Sequence, residues 1–235
     1  MNYIYTTIAI GKSYFDSACE FAKKLNKVSK SHKILIVTDC DFVNIENVEF
    51  RKFNNNETKF IQKHFNYNLK YIPIMECSKL NYEFIIFFDA DWSIHTGYNE
   101  KKLLNFLSTI KDNNLDFIYE RPHLIGEYKN KIDQCFWKHK LEFYGLLKTD
   151  KYDKGHVVNE QFMIFKNNHK LKTFVDNWKE RNDFGVKNNI WAFAEGLEIG
   201  MSSIDANMNM NWEKMFELKQ FFSFISNTGV RHIRF

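Results

Sequence analysis

Two hydrophobic rhythms alternate along the chain. "YIYTTIAI", Tyr3 to Ile10, is dense in β-branched and aromatic residues and predicts a strand. From Ser13 to Val28 the period lengthens. Phe15, Ala18, Cys19, Ala22 and Leu25 recur at helical spacing, with Ser13 as the expected N-cap. "KILIVTD", Lys33 to Asp39, is a continuous apolar run that ends on a polar residue, as a buried parallel strand does. "NVEFRKF" predicts another short strand. Glu57 to Leu80 reads as helix, with a kink or fresh start near Pro73, which lacks a backbone donor.

The same alternation continues to the end. "EFIIFF" is a strand, Asn99–Lys111 a helix, "LDFIYE" a strand and Ile132–Leu147 an aromatic helix. "HVVNEQFMIFK" is a strand and His169–Arg181 a helix. Trp191–Ser202 and Trp212–Phe222 read as helical, and "GVRHIRF" as a strand or extended tail. Strands alternating with helices predict an α/β domain with a mostly parallel central sheet flanked by helices. With no repeat and no low-complexity linker, residues 1–235 are expected to form a single domain. Residues 1–98 and residues 99–235 would be its two halves.

Composition narrows this picture. Net charge is +4, with lysines scattered among acids, so no basic stripe for nucleic acid is present. Cys19, Cys40, Cys77 and Cys135 lie far apart, without a zinc or disulfide pattern. No signal peptide and no transmembrane segment is legible. A reducing, cytoplasmic compartment is the expectation, a host's cytoplasm if the chain is viral.

The candidate chemistry sits in "EFIIFFDADWSIHTG", Glu83 to Gly97. Asp89 and Asp91 follow an apolar strand, where open α/β sheets bind ligands. Two residues apart on an extended chain, they point the same way and offer hard oxygens to one Mg²⁺ or Mn²⁺. The bland reading is a strand-end pair that caps a turn.

Three chemistries use such a pair. Gly11-Lys12-Ser13 hints at a P-loop NTPase, but Thr6 stands where the first glycine belongs. "DADWS" resembles the motif of haloacid dehalogenase-type phosphatases, yet that motif normally lies on the first strand, and Trp92 replaces its usual small residue. The third is a transferase. In order along most of the chain, "TTIAIGKSY", "ILIVTDCD", "LKYIPIMECSKLNYEFIIFFDADW", "VVNEQFMIFKN", "WAFAEGLEIG" and "RHIRF" resemble the GT-A fold, D-x-D-containing nucleotide-sugar glycosyltransferases of microbial and viral glycan systems.

That resemblance implies a Rossmann-like nucleotide-binding half in residues 1–98, an acceptor and catalytic half in residues 99–235, and transfer of a sugar from a UDP- or GDP-sugar to a glycan or other hydroxyl acceptor, with Mn²⁺ or Mg²⁺. It places Asp89, Ala90 and Asp91 on the metal and diphosphate, with Asp91 the more direct ligand and His232 a third. Arg231 or Arg234 would meet phosphate. Thr7, Ala9, Tyr14 and Asp39 would hold base and ribose, although Asp39 equally suits a turn cap. Lys70, expected on a helix, would face the donor or stay in solvent. Glu195 and Glu160 are the candidate catalytic carboxylates. Glu195 would share a helical face with Glu198. Asn159 and Gln161 share one face of their strand and Glu160 the other. Trp92, His123 and Trp191 either line a sugar site or pack in the core. Retention or inversion stays open.

Overall fold

The structure, a computed structural model, describes residues 1–29, 31–63, 69–94, 97–129, 136–188, 195–215 and 222–224. Their strands are β1 (Tyr3–Ala9), β2 (Ile34–Thr38), β3 (Val48–Lys52), β4 (Phe84–Phe88), β5 (Trp92–Ile94), β6 (Phe117–Leu124), β7 (His156–Lys166), β8 (Met210–Asn211) and β9 (Phe222–Phe224). The helices are α1 (Lys12–Val28), α2 (Asn55–Lys63), α3 (Tyr71–Ser78), α4 (Glu100–Asp112), α5 (Ile125–Lys129), α6 (Phe136–Phe143), α7 (His169–Lys187) and α8 (Gly196–Asp205).

A seven-stranded sheet runs in the order β3-β2-β1-β4-β7-β6-β8 through both halves of the chain. β3, β2, β1 and β4 pair in parallel, as does β8 with β6, while β7 runs against both β4 and β6. The sheet is therefore mixed, with a mostly parallel pattern. β4 explains its own apolar sequence. All of Phe84–Phe88 is buried, and alternate side chains enter opposite cores. Phe84, Ile86 and Phe88 pack in the core under α1 and α4. Ile85 and Phe87 pack in the core under α3 and α7. A third, smaller core joins α5, α6 and α8 through Ile125, Leu141, Val157 and Leu197.

Several boundaries differ from the periodicity. α1 starts at Lys12 and is capped by Gly11, not Ser13, because Gly11 takes a φ of 82° that other residues rarely adopt. Pro73 is the third residue of α3, where its missing N–H would be unpaired anyway, so it marks a fresh helix start. α7 runs six residues beyond Arg181, to Lys187. Phe222 belongs to a strand rather than a helix, because β9 pairs antiparallel with β5. β7 carries a bulge. Tyr119 faces Met163 but Glu120 faces Asn159, so residues 160–162 bow out of the ladder. The simple alternation expected for Asn159, Glu160 and Gln161 therefore does not hold.

α8 lies unusually close to β7. A Cβ on Gly196 would sit 2.1 Å from the Val158 carbonyl oxygen, and one on Gly200 1.9 Å from that of His156. Only glycine allows this approach. Gly200→Ala is expected to destabilise the protein by ~1–3 kcal/mol through overpacking, measured by urea unfolding.

At the opposite edge of the sheet, Asp116 ties three elements together. It accepts from the Asn209 N–H (2.8 Å), the Asn168 amide (2.7 Å) and Lys170 (2.8 Å). Burial alone would raise its carboxyl; the Asn209 N–H, Lys170 and Asn168 outweigh burial and hold it below the ordinary carboxylate range. Such a group contributes stability above its unfolded pKa of about 3.9, lost as pH falls through the folded value. Asp116→Asn is thus expected to be less stable than wild type at pH 7. The gap should narrow in urea titrations as pH falls below about 4 and through the lowered folded value, beneath which both proteins carry a neutral side chain.

Candidate active site

The carboxyl ends of β1, β2 and β4 meet on one edge of the sheet, with Ala9 opposite Thr38 and Thr6 opposite Phe87. The chain leaves β4 at Phe88 and turns at once. The Trp92 N–H donates to the Asp89 carbonyl at 3.0 Å, closing a turn over residues 89–92. The two aspartates are aimed by this turn, not by an extended strand. Ala90 at its centre is buried, and the Asp89 N–H donates to the Gln161 carbonyl at 2.8 Å, which anchors the turn to the β7 bulge.

Lys70 is neither in solvent nor within a helix. It is the N-cap of α3, only 5% exposed, and its ammonium lies 2.7 Å from Asp89 Oδ1 and over the Phe87 ring. Burial opposes the charge on Lys70, yet Asp89, then Glu160 and Glu195, hold its pKa above the ordinary lysine value. The acids feel the reverse. Burial raises the carboxyls of Asp89, Asp91 and Glu160, and Lys70 only partly offsets it. Asp91 adds to the rise at Asp89. Four carboxyls thus converge on one ammonium.

Glu195 and Glu198 come from α8, whose first turn is pinned on β7 by Gly196. The helix starts one residue after Glu195, which is its N-cap, so the two acids do not share a helical face. Both are buried, and each has its own partner. Asn182 Nδ2 donates to Glu195 Oε1 at 2.7 Å. Lys140 lies 2.6 Å from Glu198, and the Tyr144 hydroxyl donates to Glu198 at 3.0 Å. Burial pushes the Glu195 carboxyl well up; Lys70 opposes the rise, while Glu160 and Glu198 add to it. Its Oε2 is buried with no hydrogen-bond partner among the described residues.

The remaining candidates lie on the β1–β2 side. Thr7 and Ala9 are buried in β1, and Tyr14 is exposed on the first turn of α1. Asp39 is exposed and accepts from the Gly11 N–H at 2.8 Å, so it does cap the loop that opens α1. Beside it, a cleft of about 450 Å³ separates Lys12, Phe15 and Lys23 of α1 from residues 39–45. Lys12 itself is exposed and pairs with Asp16, away from the aspartate turn. Trp92 is a core residue stacked on Phe162 at 5.0 Å. His123 is half-exposed beside Glu127. Trp191, Arg231, His232 and Arg234 lie outside the described residues.

Sequence reasoning missed Asn182, Lys140 and Tyr144. For Asn182 a signal existed. Leu171, Phe174, Val175, Trp178, Asn182 and Gly185 form the buried stripe of α7, and the amide breaks it. Lys140 carried no such mark, since its burial depends on Glu198, 58 residues away.

Asp89 and Asp91 supply hard oxygen donors in a setting with too little positive charge, which fits Mn²⁺ or Mg²⁺. Asp91 also lines a cleft of about 170 Å³ with Ser17, Lys24 and Ser93. Among the described residues, no group of three or more His, Cys, Asp or Glu is placed to hold a metal. The described residues therefore fit part of a coordination sphere.

No family model matches the chain, and no curated protein matches it either. Solved structures do. The galactosyltransferase LgtC, in complex with donor and acceptor sugar analogues, superposes with a TM-score of 0.52 at 10% identity, covering 89% of this chain and 72% of LgtC. Core-mannan synthase A (CmsA) from Aspergillus fumigatus, in its Mn/GDP form, gives 0.53 at 8% identity, covering 100% and 75%. Both are glycosyltransferases with the GT-A fold. This chain has the GT-A fold. Within it, the Asp89–Asp91 turn lies at the carboxyl end of β4, and β5, which follows that turn directly, pairs with β9. No helix among the described residues is long and apolar enough to cross a membrane.

Proposed function

We propose that the chain is a metal-dependent glycosyltransferase that moves a hexose from a UDP- or GDP-sugar to a hydroxyl of a glycan or glycoconjugate. The observation that carries this reading is the gathering of Asp89, Asp91, Glu160 and Glu195 around the buried ammonium of Lys70 at the strand edge of a GT-A fold. Such a site lacks positive charge and has oxygen ligands to offer. Asp91 and Asp89 would hold Mn²⁺ or Mg²⁺. His232 is the proposed third ligand, eight residues beyond Phe224. When bound, the cation would neutralise charge on the departing nucleoside diphosphate.

The protein's own residues do the rest. Lys70 fixes Asp89, so the carboxylate meets the donor in one orientation, and its charge tempers the repulsion among the acids. The cleft beside Asp39 receives the nucleotide's base and ribose; Thr7, Ala9 and Tyr14, proposed contacts of the same nucleotide, lie outside the residues that line it. Glu195 faces the sugar as the candidate catalytic carboxylate, with Glu160 across from it on the bulge. Burial raises the Glu195 carboxyl, which suits a group that takes part in proton exchange. Free thiols at Cys19, Cys40 and Cys77 support a reducing, cytoplasmic setting.

A thermal-shift panel tests the reading. UDP or GDP with Mn²⁺ is expected to raise the melting temperature, through binding to the native state alone. A shift with ATP only, or hydrolysis of an aryl phosphate with Mg²⁺, would replace it with a nucleotidase or phosphatase activity.

A further inference from the structure

Asn182 breaks a rule of its own helix. The stripe Leu171, Phe174, Val175, Trp178, Gly185 buries apolar or small residues against the sheet, and the next turn of that stripe calls for another apolar residue. An amide stands there instead, 3% exposed. Buried polar side chains cost free energy unless bonded, and they recur where function requires them. This one donates to Glu195 Oε1 at 2.7 Å.

Glu195 is held on its other sides too. Its carbonyl accepts from the Ile199 N–H at 2.9 Å, the first turn of α8. Gly196 is pressed on the Val158 carbonyl and leaves the backbone no room to slide. The carboxyl therefore has one oxygen fixed by an N–H and one, Oε2, buried and without a partner among the described residues. An amide N–H can donate only to a lone pair. It selects Oε1 as the acceptor and leaves Oε2 as the oxygen free to carry or take up a proton.

We propose that Asn182 is a positioning residue for Glu195: its amide fixes Oε1 and leaves Oε2 as the carboxyl oxygen that meets the sugar substrates. The proposal rests on the transferase reading above and adds a residue that reading does not need. Five charged or titratable groups face Glu195 from the packed elements: Lys70 before α3, Tyr71 on α3, Glu160 on β7, Glu198 on α8 and Lys140 on α6. The Asn182 donor favours the ionised carboxyl over the neutral one, so its loss moves Glu195 toward the neutral form.

The test uses the full chain, Mn²⁺, and whichever UDP- or GDP-hexose it hydrolyses fastest. Asn182→Leu restores the apolar stripe and is expected to fold. Its kcat should fall ~10–100-fold, the range for residues that orient a reacting group. KM for the donor and the Mn²⁺-dependent nucleotide shift should stay unchanged, and the acidic limb of kcat/KM should move to higher pH. Asn182→Asp keeps the shape, removes the donor, and should do the same; it decides the question if the leucine variant does not fold. Combined with Glu195→Gln, Asn182→Leu should cost nothing further. Unchanged kcat and pH profile in a folded variant, or losses that add in full, would overturn the role of Asn182 alone. No nucleotide shift in the wild type would overturn the transferase reading and this proposal with it.

Discussion

Replacing Asp91 with alanine is expected to abolish the Mn²⁺-dependent thermal shift from UDP or GDP and leave the unliganded protein at least as stable. The first half follows from coordination. Asp89 is tied to Lys70 at 2.7 Å, whereas Asp91 lines an open cleft with Ser17, Lys24 and Ser93, where its carboxylate can meet a cation. The second half follows from electrostatics. Burial raises the Asp91 carboxyl, so its charge is a cost to the fold that alanine removes. At a ligand concentration 100 times Kd, wild type should gain about 2.7 kcal/mol, and each kcal/mol is worth ~2–4 °C in a domain of this size. Asp89→Ala is the poorer test, because it strands Lys70 in the interior and confounds binding with stability. A full shift in folded Asp91→Ala would remove the aspartate turn from the metal site.

Lys140→Met is expected to be the most destabilising single change outside the aspartate turn. Lys140 and Glu198 are 1% and 2% exposed, 2.6 Å apart. Methionine fills the volume of the stem but leaves the Glu198 charge without its counter-ion, and breaking one side of a buried pair costs about 3–5 kcal/mol. Tyr144 still donates to Glu198, which sets the loss toward the lower end. The double change Lys140→Met, Glu198→Leu should recover most of it, since an apolar replacement of a buried pair is often neutral. Urea unfolding of wild type and the two variants checks this. A single variant as stable as wild type would show that the pair is not buried in solution.

The candidate site was legible to different depths. Asp89 and Asp91 announced themselves because two acids two residues apart directly follow a strand that is apolar throughout. Lys70 was singled out only through resemblance to the GT-A transferases; its sequence context gave no hint that the ammonium is buried, since its partner lies 19 residues on across a helix and a strand. Glu195 was singled out through the same resemblance, and the helical face it was expected to share with Glu198 does not form: α8 begins after Glu195, and the two carboxyls have separate partners. The bulge in β7 was invisible because an alternating pattern says nothing of where a ladder slips.

The sequence by itself determined the order of strands and helices, the α/β class and the position of the aspartate turn after β4. These rest on periodicity and on local backbone chemistry, which a few consecutive residues contain. Only the tertiary structure decided that Lys70 meets Asp89, that Asn182 holds Glu195, that Lys140 neutralises Glu198 and that β9 pairs with β5. Each joins residues brought together by sheet register or helix packing, and the free energy that selects them is shared over the whole core rather than written at either end.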